Sequence, residues 1–120
     1  ADSYDGPALI IAYSHCIAHG IDMTSAVDEC RKAVASGHWP LFRYDPRLAD
    51  QGKNPLQLDS KDPSISFEEY AYGENRFRVL KKAQPEVAAK LMAQATKETA
   101  TRYGLYKKLA EMQADCGVKK

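Results

Sequence analysis

The stretch LIIAYSHCIAHGI, residues 9–21, decides how the rest of this 120-residue chain is read. It opens as a dense apolar run and stops on His15, Cys16 and His19. Leu9 to Tyr13 shows no alternation of apolar and polar residues, which is the pattern of a strand covered on both faces. A buried strand over about 8–14 is therefore expected. Buried strands usually end on turn residues; this one runs into three side chains that bind metals. A strand of that kind belongs to a parallel sheet, and its N–H and C=O groups need neighbouring strands as partners. No second convincing strand follows. The expectation is that the strand pairs outside this sequence, with another chain or with other parts of a longer one. The start on Ala1 rather than Met is read the same way.

Working outward, residues 24–36 read as a helix. Ser25 is placed to cap it, Asp28 sits in its first turn, and Gly37 follows its end. Met23, Ala26, Val27, Cys30, Ala33 and Val34 fall on one face, so Cys30 has a plain role as a small apolar residue on a buried stripe. His38 to Ser64 carries Pro40, Pro46, Pro55 and Pro63, which block helix interiors and central strands. This long loop nevertheless holds Trp39, Leu41, Phe42, Tyr44, Leu48, Leu56 and Leu58. It is expected to lie extended over a surface, with those side chains as anchors. Ser66-Phe67-Glu68-Glu69 is a capping box that opens a helix over about 66–82, weakened at Gly73. Pro85 suits the first position of a third helix, about 85–112, with an apolar stripe that includes Ala88, Leu91, Tyr103 and Leu109. Gln113 to Lys120 read as a frayed end, with Cys116 an incidental thiol. The fold class is α+β, mainly α.

Composition narrows the function. Hydrophobic residues make up 44% and charged residues 28%, as in an ordinary soluble protein. A net charge of +1 gives no support for binding nucleic acid through bulk charge. The apolar run Pro7 to Tyr13 is far too short to span a bilayer. Three well-separated cysteines make no disulfide framework, which favours a reducing compartment. Charge is segregated: residues 1–75 hold 6 Lys/Arg against 12 Asp/Glu, and residues 76–120 hold 11 against 4. Two solvated faces that attract each other within one fold explain this most simply.

No phosphate-cradling glycine loop, CxxC or Ser/His/Asp set is present. The one cluster with chemistry is His15, Cys16 and His19. The i,i+4 histidine spacing with a cysteine beside it suits zinc on a helix, although the strand ends there. The residues alone leave open structural histidines, a small zinc- or haem-binding protein, and a stand-alone helical interaction module.

The residues also carry a resemblance. Gly6-Pro7-Ala8-Leu9-Ile10-Ile11-Ala12-Tyr13 followed by Cys16-Ile17 and His19-Gly20 resembles the C-terminal region of the pyruvate:ferredoxin (flavodoxin) oxidoreductases. So does Gly37-His38-Trp39-Pro40-Leu41-Phe42-Arg43-Tyr44-Asp45-Pro46-Arg47-Leu48, with Gly52-Lys53-Asn54-Pro55 and Gln57-Leu58-Asp59-Ser60-Lys61. The match covers about residues 3–112. Members of the family usually carry Asn where this chain has Ala18, and often Pro or Thr at the place of His15.

The resemblance implies a piece of a large, cytoplasmic, homodimeric enzyme of anaerobic metabolism. That enzyme decarboxylates pyruvate on thiamine diphosphate and magnesium, makes acetyl-CoA, and passes electrons through 4Fe-4S clusters to ferredoxin or flavodoxin. It implies that 1–65 end the α/β thiamine-diphosphate-binding domain and that 66–120 form a C-terminal helical extension. Cys16 then matches the fourth cysteine ligand of the cluster nearest the thiamine, at the carboxyl end of a parallel strand where open α/β sheets place ligands. His19 and nearby backbone are implied as its hydrogen-bonding surroundings. The thiamine and magnesium motif and the other three ligands lie outside this sequence, so the chain alone is expected to be inactive. The partners implied are the rest of the oxidoreductase, with neither nucleic acid nor membrane among them.

Overall fold

Ala33 and Ala71 are fully buried, and their small size is what lets two helices meet closely. A computed structural model describes residues 1–112 of the chain; Cys116 and the frayed end expected over 113–120 lie outside the described residues. Helix α1 spans Ala26–Ala35, α2 Phe67–Ala71, α3 Asn75–Ala83 and α4 Pro85–Glu111. Ala33 of α1 packs with Phe67, Tyr70 and Ala71 of α2, and Tyr13, Trp39, Phe77, Met92 and Ala95 close around them. Burying Phe67 alone contributes about 1.5–3 kcal/mol. The architecture is mainly helical with one small sheet, the α+β, mainly α class expected.

The buried strand expected over 8–14 does not form. Leu9, Ile10 and Ile11 are 83%, 78% and 66% exposed, and the segment belongs to no sheet. The physical reason is the one that made the strand suspect: an extended segment becomes a strand only where another strand's N–H and C=O groups meet it, and no described residue does so. The expected helix over 66–82 is two helices. Glu74, with extended backbone (φ −96°, ψ 134°), interrupts it just after Gly73. The Glu29 carboxylate of α1 fills the space where a Cβ on residue 73 would stand. The chain therefore turns here around a buried acid.

Helix starts follow the sequence in part. Ser66 Oγ accepts from the Glu69 amide at 3.1 Å, and Pro85 opens α4, as expected. Ser25 does not cap. Its hydroxyl donates to the Asp22 carbonyl at 2.7 Å, and Asp22 Oδ1 instead accepts from the Thr24 amide at 2.9 Å, capping a short turn over Met23–Ser25. The stripe expected on α1 is only partly buried: Ala33 is enclosed, whereas Met23 and Val27 are 50% and 63% exposed.

The proline-rich loop has structure the sequence did not announce. Strand β1 (Phe42–Tyr44) pairs antiparallel with β2 (Leu56–Leu58), with Phe42 opposite Leu58, around a 3-10 turn over Pro46–Gln51. The loop is fastened to α4. Phe42 stacks on Tyr106 with centroids 4.8 Å apart, the Tyr103 hydroxyl donates to the Lys61 carbonyl at 2.8 Å, and Lys107 pairs with Asp62 at 2.8 Å. The Lys107–Asp62, Lys81–Glu68 and Arg76–Glu74 pairs all join the acidic stretch to the basic one, so the segregated charges meet within the fold.

Asn54 makes a further fastening. Its amide donates to the carbonyls of Leu109, Ala110 and Met112 at 2.8, 3.0 and 2.9 Å, and its Oδ1 accepts from the Leu56 amide at 2.9 Å. These are the carbonyls that a helix end leaves without internal partners. Asn54→Ala is expected to cost about 1–2 kcal/mol, since water replaces part of what is lost. Asn54→Asp should cost more, because it sets a negative charge against the negative end of α4. Thermal unfolding of the two variants checks the order; an Asp variant as stable as the native chain would contradict it.

Candidate functional site

The residues that matter chemically lie where the exposed apolar segment meets the core. From Tyr13 onward the chain is held. The Tyr13 and Tyr70 hydroxyls form a hydrogen bond across 57 positions of sequence. Tyr70 is 1% exposed, and its hydroxyl donates to Glu74 Oε1 at 3.1 Å. A phenol has one proton to give, so with the Tyr70 proton committed to the carboxylate, Tyr13 is the donor to Tyr70. Burial, reinforced by the nearby Glu74 charge, pushes the Tyr70 phenol far up, which keeps it protonated and donating. Glu74 is itself buried, with Arg76 as counter-ion at Oε2.

Aromatic rings wall this line of hydroxyls. Trp39 lies 5.2 Å from the Tyr13 ring, and His38 stacks on Tyr70 at 5.0 Å. Arg102 donates to the His38 carbonyl at 2.5 Å. Burial, reinforced by the Arg102 charge, moves the His38 imidazole down from its ordinary value, so at neutral pH it is an uncharged part of the wall.

His15 comes next, and it turns away from Cys16. Its Nδ1 lies 3.4 Å from the Cys30 sulfur on α1. Cys30 is thus half-buried against an imidazole rather than lying on a purely apolar stripe. Cys16 is exposed, with extended backbone (φ −126°, ψ 143°), at the start of a 3-10 turn over Ile17–His19. Gly20 closes the turn in the left-handed region (φ 73°), its N–H donating to the Ile17 carbonyl at 2.9 Å. Gly20 also touches α3: a Cβ there would stand 2.6 Å from the Cβ of Asn75. Ile21 is buried immediately afterwards.

The three residues singled out by sequence therefore separate. His15 belongs to Cys30, Cys16 faces outward, and the side chain of His19 lies outside the described positions. Among the described residues no three His, Cys, Asp or Glu side chains gather as a metal site would require. A cubane cluster needs four thiolates. The donor set fits one corner of such a cluster: a single outward-facing sulfur on a segment fixed at both ends. It does not fit a self-contained metal centre. The Tyr13–Tyr70–Glu74 line was missed by sequence reasoning, because nothing in local spacing links positions 57 apart. The aromatic density of the loop around Trp39 was the only hint.

An apolar hollow of about 280 Å³ between α2, α3 and α4, lined among others by Phe67, Phe77, Leu80, Leu91 and Met92, carries one carboxylate, Glu98, and no nucleophile. Among the described residues no helix is long and apolar enough to cross a membrane.

No family model matches the chain. Individual proteins do. It is 53% identical over 110 residues, 92% of its length, to a protein of Nostoc sp. named pyruvate-flavodoxin oxidoreductase. It is 53% identical over 111 residues to the pyruvate:ferredoxin oxidoreductase of Moorella thermoacetica. It is 45% identical over 113 residues to a mitochondrial pyruvate dehydrogenase [NADP(+)] of Euglena gracilis. The chain spans only 9%, 10% and 6% of these three relatives, respectively. Over nearly its whole length the chain is homologous to one short segment of the pyruvate-flavodoxin and pyruvate:ferredoxin oxidoreductases.

Proposed function

We propose that this chain is the part of a pyruvate oxidoreductase that brings Cys16 to a 4Fe-4S cluster. The parent enzyme decarboxylates pyruvate with thiamine diphosphate and magnesium, transfers the acetyl group to CoA, and releases two electrons to ferredoxin or flavodoxin. The observation that carries the reading is an exposed thiol on a doubly anchored loop, in a chain otherwise homologous to enzymes named for this reaction. A 4Fe-4S cluster supplies one-electron storage between a two-electron oxidation and a one-electron acceptor.

The chain's own residues bind and position. Cys16 offers a soft, charged sulfur ligand and its thiol is exposed; on this reading the other ligands come from the rest of the enzyme. On this reading residues 1–65 close the thiamine-diphosphate-binding domain and 66–120 extend it. The core of this chain joins the two stretches through Ala33 and Phe67. The enzyme is a cytoplasmic homodimer. Relatives named for flavodoxin, ferredoxin and NADP(+) retain the segment at 44% identity or above. That supports a role before the electrons reach the acceptor, with acceptor choice made elsewhere.

The test is anaerobic purification of the intact enzyme that carries this segment, followed by addition of pyruvate and CoA. Reduction of ferredoxin or flavodoxin, dependent on both, is expected. An enzyme that turns over no 2-oxoacid would contradict the reading.

A further inference from the structure

The geometry points to Tyr70, acting through Tyr13, as a positioning residue for the Cys16 sulfur. The inference rests on the reading of Cys16 as a cluster ligand and adds what holds it in place. Leu9 to Ile11 are exposed, whereas the chain becomes fixed at Tyr13. Cys16 lies three positions after Tyr13, a reach of roughly 10 Å of extended backbone. Over that distance an error in the placement of Tyr13 passes to the sulfur with little to absorb it.

The anchor itself is rigid. Tyr70 sits on α2, whose neighbour Ala71 and facing Ala33 are fully buried, so the helix has no room to shift. Glu74 Oε1 accepts the hydrogen bond of the Tyr70 hydroxyl, which leaves the Tyr70 oxygen facing Tyr13 as an acceptor. Two further contacts complete the cradle: His15 against Cys30, and Gly20 against Asn75. The thiol is thus held on its amino-terminal side by α1 and α2 and on its carboxyl-terminal side by α3, before any ligand from elsewhere in the enzyme reaches it. None of the contacts uses the sulfur, which stays free for its own bond.

The experiment uses the intact enzyme with Tyr13→Phe and, separately, Tyr70→Phe. Tyr13→Phe is the cleaner change, because it keeps the ring on Trp39 and leaves the Tyr70–Glu74 bond whole. Tyr106→Phe, in the remote stack on Phe42, is the control. Two readouts are taken: hydrogen exchange of the peptide covering residues 14–21, and the electron paramagnetic resonance of the reduced cluster whose signal disappears in Cys16→Ala. Exchange should rise roughly two- to tenfold in both variants, the consequence of one lost hydrogen bond. The signal should broaden or shift while iron content stays at the native level, with Tyr106→Phe unchanged in both. A native signal in Tyr13→Phe and Tyr70→Phe, whatever the exchange shows, would overturn the positioning role. If Cys16→Ala removes no signal, the ligand reading itself falls and the positioning role with it.

Discussion

Cys16→Ser in the intact enzyme is expected to cripple ferredoxin or flavodoxin reduction while pyruvate-dependent CO2 exchange largely survives. A hydroxyl replaces the soft, charged thiolate, which destabilises the cluster or moves its potential. Loss of even an outer partner of a metal site typically costs about 10–100-fold, and loss of a direct ligand should cost at least that. On the proposed reading decarboxylation depends on groups outside this chain, so the two activities should part. Cys30→Ser is the matched control. It exchanges a half-buried sulfur against His15 for a hydroxyl in the same position, and should cost stability on the order of 1 kcal/mol with ferredoxin reduction retained. The opposite pattern, with Cys30→Ser inactive and Cys16→Ser active, would show that the ligand is Cys30.

Gly20→Ala carries the largest expected effect on stability. The backbone there is left-handed (φ 73°), which costs an L side chain about 1–2 kcal/mol. The added methyl would also stand 2.6 Å from the Asn75 Cβ, which is fixed to the first residue of α3 and cannot swing aside. Overpacking of that kind adds about 1–3 kcal/mol. The sum, roughly 2–5 kcal/mol, should appear as an early urea midpoint. Gly52→Ala separates the two causes. Its φ is 66°, but nothing lies within 4 Å of the added methyl, so only the backbone cost applies. Equal loss in the two variants would mean that the turn after Cys16 does not rest on α3.

What the sequence made legible was mostly local. The Ser66 cap, Pro85 at the start of α4 and Gly37 after α1 each depend on a few neighbouring residues, and each stands where the sequence put it. Leu9 to Tyr13 reads as a buried strand because apolar density records the surface a segment is built to meet. Whether that surface lies in the same chain is invisible to pattern, and the described residues leave Leu9 to Ile11 exposed. The break at Gly73 was hinted at by the glycine, but its cause is the Glu29 carboxylate 44 positions earlier. Pairing of β1 with β2 was hidden by the prolines around them, which argue correctly against a central strand and say nothing against a two-stranded ribbon. At the site, Cys16 was singled out by its place after the apolar run and by family resemblance, and its role as a ligand is proposed. The tyrosine line that holds its segment was not, because contacts between distant positions leave no spacing to read.

Iron and acid-labile sulfide counted in the anaerobically purified Cys16→Ala enzyme, beside the native and Cys30→Ala proteins, test the central claim most directly. Alanine offers the cluster nothing in place of the thiolate, so the account predicts a loss of about four irons and four sulfides per chain, the content of one 4Fe-4S cluster. Cys30→Ala should keep the native count. Native iron and sulfide in Cys16→Ala would contradict the claim that this segment holds a cluster through Cys16.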